Sequence, residues 1–125
     1  MEIDIRNIKK KNNTGLADER VLCAASAYDK KFYLNPRFSS LPESIKDELK
    51  IISVLFTEET GGILTMIYDD DGSLYLYPSH NDTDVYYDEI SCGLEIKKMQ
   101  KERKELFESL EEYYKAFYMN KEQKQ

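Results

Sequence analysis

The spacing of apolar residues along this chain changes in a fixed order, and that order restricts the fold more than any other feature. Val21 to Tyr28 reads as a strand of mostly small residues, and Asp29-Lys30 reads as a turn. Phe32 and Leu34 then alternate with Lys31 and Tyr33 as a half-buried strand, and Pro36 closes the hairpin. Helical spacing follows: Ile45, Leu49, Ile52 and Phe56 form one apolar face. Ser40-Leu41-Pro42-Glu43 has the pattern of a capping box, and Gly61-Gly62 supplies the positive φ that ends the helix. Period two returns in Ile63 to Tyr68, apolar on both faces and so a central strand. After the turn Asp69-Asp70-Asp71-Gly72, Leu74 and Leu76 alternate with Tyr75 and Tyr77 until Pro78 stops the strand. The last run, Ile96, Met99, Arg103, Leu106, Leu110, Tyr113 and Phe117, steps by three and four throughout.

The order is ββ-α-ββ(β)-α. It predicts an α+β domain in which an antiparallel sheet of four or five strands carries helices packed on it. By analogy of layout it looks like the profilin, longin and roadblock group of small domains, and fold alone implies no function. Asp84 to Ile90 reads as a fifth strand or as the first turns of the last helix. Ile90 and Leu94 fall about 160–200° from the later stripe, so the apolar phase breaks near Gly93 and the helix starts between Asp88 and Leu94. One domain over residues 20–119 is expected, with a mobile segment at 1–19 and a mobile tail at 120–125.

The 125 residues carry a net charge of −6, and its placement is uneven. Residues 1–68 are neutral and residues 88–125 sum to −1, whereas 69–87 hold five aspartates and no Lys or Arg. This argues against a wholly basic nucleic-acid binder, and no nucleic acid is expected as a partner. The longest mainly apolar stretch, Ile51 to Phe56, is too short to span a bilayer, so no membrane is expected either. Cys23 and Cys92 sit among small or apolar neighbours with no CxxC or Cys/His spacing. They read as buried small hydrophobes in a reducing cytoplasm.

His80, Asp82 and Asp84 are the best chemical candidates, since they bring the one histidine and two carboxylates to a strand end. Such a trio offers mixed N and O metal ligands or a general base, while His, Asn and Asp also serve as plain turn residues. Asp69-Asp70-Asp71-Gly72 fails as a calcium loop: with Gly72 at the sixth place, Ile67 and Pro78 stand where acids are needed. No Gly-rich phosphate loop or HExxH pair is present, and no cofactor is expected. Tyr75 and Tyr77 on one strand face, with Tyr86 and Tyr87 ten residues on, form a candidate partner-binding face, or they cover the sheet edge. Arg103 interrupts the apolar stripe. It reads as a side chain snorkelling at the margin of a sheet-packed helix, with homodimerisation through this helix as the alternative.

Tyr77-Pro78-Ser79-His80-Asn81-Asp82, Tyr86-Tyr87-Asp88-Glu89-Ile90 and Glu105-Leu106-Phe107-Glu108-Ser109-Leu110-Glu111 before Tyr113-Tyr114 carry a resemblance over about residues 18–119. The chain resembles a group of small clostridial (Firmicutes) proteins, a domain of unknown function. The resemblance implies a bacterial cytoplasmic origin and attaches no site residue.

Three functions follow as expectations. The first is a non-enzymatic interaction or regulatory module, acting as a homodimer or on another protein. The second is a small metal-dependent enzyme or sensor using His80, Asp82 and Asp84. The third is small-ligand binding in a pocket between sheet and helices, for which the sequence gives no anion cradle or cofactor fingerprint.

Overall fold

The computed structural model describes residues 17–119. A single helical turn, Ala17–Arg20, leads into β1 (Val21–Ser26) and β2 (Lys31–Leu34). A 3-10 turn at Pro36–Phe38 precedes α1 (Glu43–Thr60), then come β3 (Ile63–Tyr68) and β4 (Leu74–Ser79). The chain finishes with α2 (Glu89–Glu102), α3 (Lys104–Tyr114) and a π-helical turn, Lys115–Met119. The strands form one sheet in the order β2-β1-β3-β4, antiparallel throughout, so the expected α+β architecture is present. The mobile segments expected at the two ends lie outside the described residues, apart from the Ala17–Arg20 turn.

β1 is buried along its whole length, as a strand of small residues covered on both faces requires. Cys23 pairs with Met66, and Met66 pairs with Leu76. This row shares one core with Leu49, Ile52 and Phe56 of α1 and with Leu106, Phe107 and Leu110 of α3. α1 therefore presents the face its spacing predicts, and it ends at Gly61 and Gly62 with φ of 75° and 74°.

Several local expectations are corrected. Residues 81–88 form turns, so no fifth strand forms at 84–90, while the last helical region starts at Glu89, inside the expected window of Asp88 to Leu94. Asp88 caps it by accepting from the N–H groups of Ile90 and Ser91. Pro78 does not stop β4, which runs on to Ser79. At a sheet edge a missing N–H is tolerated, and Pro78 pairs with Leu64. The capping box does not form: Pro42 is the N-cap of α1, and the Ser40 hydroxyl instead lies 2.9 Å from that of Tyr113. The C-terminal stripe is not one helix. It breaks at Arg103 (φ −113°, ψ 30°), whose guanidinium reaches Glu48 of α1 at 3.3 Å. Arg103 thus meets an acid at the margin, and the widened stripe Leu106, Phe107, Leu110 and Tyr114 packs on the sheet.

Candidate functional site

The register decides what gathers at each end of the sheet. Ser26 lies opposite Ile63, and Ile63 opposite Ser79. The β1–β2 turn, the Gly61-Gly62 turn and the loop after Ser79 therefore share one end. The Asp69–Gly72 turn occupies the other, about 20 Å away along the six residues of β4. There Asp69 accepts from the N–H groups of Asp71 and Ser73, and Arg20 pairs with Asp70. This is Asx-turn chemistry, as read from the sequence.

At the first end, Tyr28 is the organiser that sequence reasoning missed. Its hydroxyl donates to Asp84 Oδ2 at 2.6 Å and accepts from the Asn81 N–H at 3.1 Å. Burial, then the bond to Asp84, pushes its pKa up. A tyrosine just past a strand carries no signal of this role, since its partners lie more than fifty residues away.

His80 stacks on the Tyr87 ring, with centroids 4.3 Å apart. Its Nδ1 faces the Asn81 carbonyl at 2.9 Å, and its Nε2 faces Glu89 Oε2 at 3.2 Å. Both neighbours are acceptors, so only the imidazolium satisfies both contacts. The Asn81 carbonyl, and then Glu89, raise the His80 pKa accordingly. Asp82 is exposed, and Asp84 is held by Tyr28. Among the described residues no three His, Cys, Asp or Glu side chains are gathered to hold a metal ion. His80 Nε2 is engaged with Glu89, and Asp84 accepts from the Tyr28 hydroxyl through Oδ2 and from the Tyr86 N–H through Oδ1.

The four candidate tyrosines separate. The rings of Tyr75 and Tyr77 lie 6.4 Å apart on β4, with Tyr75 exposed and Tyr77 half-buried. Tyr87 turns inward: its hydroxyl donates to Cys92 Sγ at 2.8 Å, and its ring fills the space left by the missing side chain of Gly62. Tyr86 turns outward and is 93% exposed.

Three further apolar side chains near Tyr86 in the chain stand exposed, and those on α2 make a ridge. Val85 is 81% exposed, Ile90 79% and Leu94 63%. At about 100° per residue, Ile90, Leu94, Lys97 and Lys101 occupy one stripe of α2 roughly 60° wide. The phase break near Gly93 is the sequence signal for this ridge: α2 continues through Gly93, and Ile90 and Leu94 point away from the core.

These features define a small α+β domain with a four-stranded antiparallel sheet, three helices and an exposed apolar ridge on the second helix. Among the described residues no helix is long and apolar enough to cross a membrane. The chain belongs to the Family of unknown function (DUF6145), whose model matches residues 19–123. No curated protein and no solved structure matches it.

Proposed function

We propose that the domain is a non-enzymatic interaction module that acts as a homodimer, with the α2 ridge as its seam. The observation that carries this reading is the exposure of Val85, Tyr86, Ile90 and Leu94 within ten residues of chain. Large apolar side chains left in water at this density along the chain mark interaction sites in soluble proteins. The occupant is a second copy because the charges along α2 complement their own reverse. Asp88 and Glu89 stand at its start, and in its second half Lys97, Lys98 and Lys101 outnumber Glu95 and Glu102. A two-fold axis near Leu94 sets the acidic end of one helix against the basic end of its partner. Gly93, exposed and with open space where a Cβ would sit, lets two such helices approach closely.

Tyr86 is the aromatic anchor of this seam, and Tyr87 braces the loop beneath it. Tyr75 and Tyr77 offer a second surface to another protein. The bacterial, cytoplasmic setting implied by the clostridial resemblance accords with such a module. The metal-dependent alternative is the weaker reading, because both His80 ring nitrogens face acceptors and so hold protons, where a metal needs a free lone pair.

Sedimentation velocity tests the proposal. Wild-type protein is expected to be dimeric at about 100 μM, a concentration that populates even micromolar complexes. The variant Ile90→Asp with Leu94→Asp is expected to be monomeric with an unchanged circular dichroism spectrum, since neither side chain is part of the core. A monomeric wild type, or a dimer that survives the double substitution, overturns the α2 seam.

A further inference from the structure

A cleft of 630 Å³ opens between α1 and the β1–β2 turn. Phe32 and Val54 supply apolar walls, and Lys30, Lys31 and Lys50 stand exposed around them, with Glu58 as the one carboxylate in the lining. The size suits a small organic ligand. The three lysines come from the β1–β2 turn, the first residue of β2 and α1, so no local motif announces them. The ion pairs among the described residues leave all three unpaired. That is unusual company in a chain of net charge −6, where carboxylates outnumber basic groups.

Two further observations bear on the charge. Lys30 has φ 54°, a left-handed backbone that favours Gly or Asn in a turn, yet a lysine stands there and faces the cleft. The C-terminal end of α1 also borders the cleft at Thr57 and Gly61. It contributes about half a negative charge, Glu58 one more, and Asp29, whose carboxylate lies 3.4 Å from the hydroxyl of the lining Ser26, another; three ammonium groups still exceed them. The cleft therefore keeps a positive potential, focused by its concave shape.

We infer that this cleft binds a small amphiphilic anion, a carboxylate or phosphate head on an apolar body. The head sits among Lys30, Lys31 and Lys50 while the body lies against Phe32 and Val54. The site is separate from the α2 ridge and independent of the dimer.

The test is a titration of the ¹⁵N-labelled full chain with phenyl phosphate, followed by amide chemical shifts. Phenol and inorganic phosphate serve as the two half-ligands. Saturable shifts are expected at Ala27, Lys31, Phe32 and Gly61, with an apparent affinity at least about tenfold above that of either half-ligand. Lys31→Glu with Lys50→Glu is expected to abolish them while the melting temperature and the remaining spectrum stay as in wild type. Added salt is expected to weaken binding. No saturation by about 10 mM, the weak end of specific binding, overturns the proposal. So do shifts that persist in the double variant, or equal binding of phenol or of phosphate alone. An arm with phosphatidylglycerol vesicles separates a lipid headgroup from a soluble anion: co-sedimentation without any phenyl phosphate response also overturns it.

Discussion

The Tyr68 hydroxyl donates a 2.9 Å hydrogen bond to the carbonyl of Leu110, and the Tyr68 ring stacks on Tyr114 with centroids 4.0 Å apart. This pair joins the end of β3 to the last turns of α3, just where the helix loosens into the π-helical turn at Lys115–Met119. Phe38 packs on both rings, and Tyr118 lies over Phe38 and under the Arg37 guanidinium. The C-terminal helix is thus held to the sheet by a tyrosine cluster as well as by its apolar stripe.

Tyr68→Phe keeps the stack and removes the bond. It is expected to cost about 1 kcal/mol, the net worth of one intramolecular hydrogen bond. Tyr68→Ala removes the ring as well and is expected to cost about 3–5 kcal/mol. Urea denaturation of both variants measures the difference. Equal losses would show that the hydroxyl, not the ring, anchors α3.

Gly62→Ala is expected to be more damaging than Gly61→Ala. A Cβ on Gly62 meets the Ser79 carbonyl oxygen at 2.6 Å and the Tyr87 ring at 2.8 Å, whereas one on Gly61 has open space. Both residues have positive φ, so each substitution carries a backbone cost of about 1–3 kcal/mol. Only Gly62→Ala must also push the strand end and Tyr87 apart. Thermal melts of the two variants, with the Tyr87 ring signals as a local probe, check the order.

His80 gives the loop a pH dependence. Its folded-state pKa lies above the ordinary value of about 6.5. Because the shift is upward, the bridge to Asn81 and Glu89 is fully present below about pH 6.5 and is lost as the pH rises through the folded-state pKa. An imidazole titration by NMR should find a midpoint above that of a model peptide. Glu89→Gln should lower it, while leaving the part that comes from the Asn81 carbonyl.

Cys23 and Cys92 are both buried. Burial pushes the Cys23 thiol up to about 12, partly offset by the Ser53 hydroxyl beside it. The reactive thiolate is therefore almost absent at neutral pH. Alkylation by iodoacetamide at pH 8 is expected to be slow in the native protein, to reach Cys23 only on unfolding, and to follow the urea transition. Mass spectrometry of the labelled peptides reads this directly.

Gly93→Ala separates fold from association. Alanine in a helix interior stabilises by about 0.5–1 kcal/mol over glycine, and nothing within 4 Å of the new Cβ opposes it. The monomer fold is expected to gain stability, measured in dilute urea titrations, while the dimer weakens because the α2 seam loses its close approach.

The order of elements, the two hairpins, the buried face of α1 and the burial of both cysteines are all legible in the chain before it folds. Each of these follows from local spacing, and spacing is a local property of the chain. The phase break at Gly93 even marked the residues that would face outward, Ile90 and Leu94. Tertiary structure decided everything that depends on which distant segments meet. Ser40 has the spacing for a cap but finds Tyr113 seventy-three residues away. Arg103 breaks a stripe that runs on without a gap in the sequence, because Glu48 and the widened face of α3 hold two helices in place of one. Strand register put Tyr28 against Asp84 and Gly62 against Tyr87, and so turned His80 towards Glu89. The fold also gathered Lys50 of α1 with Lys30 and Lys31 around one cleft. Such pairings rest on the three-dimensional register of the sheet, which local spacing limits but does not specify.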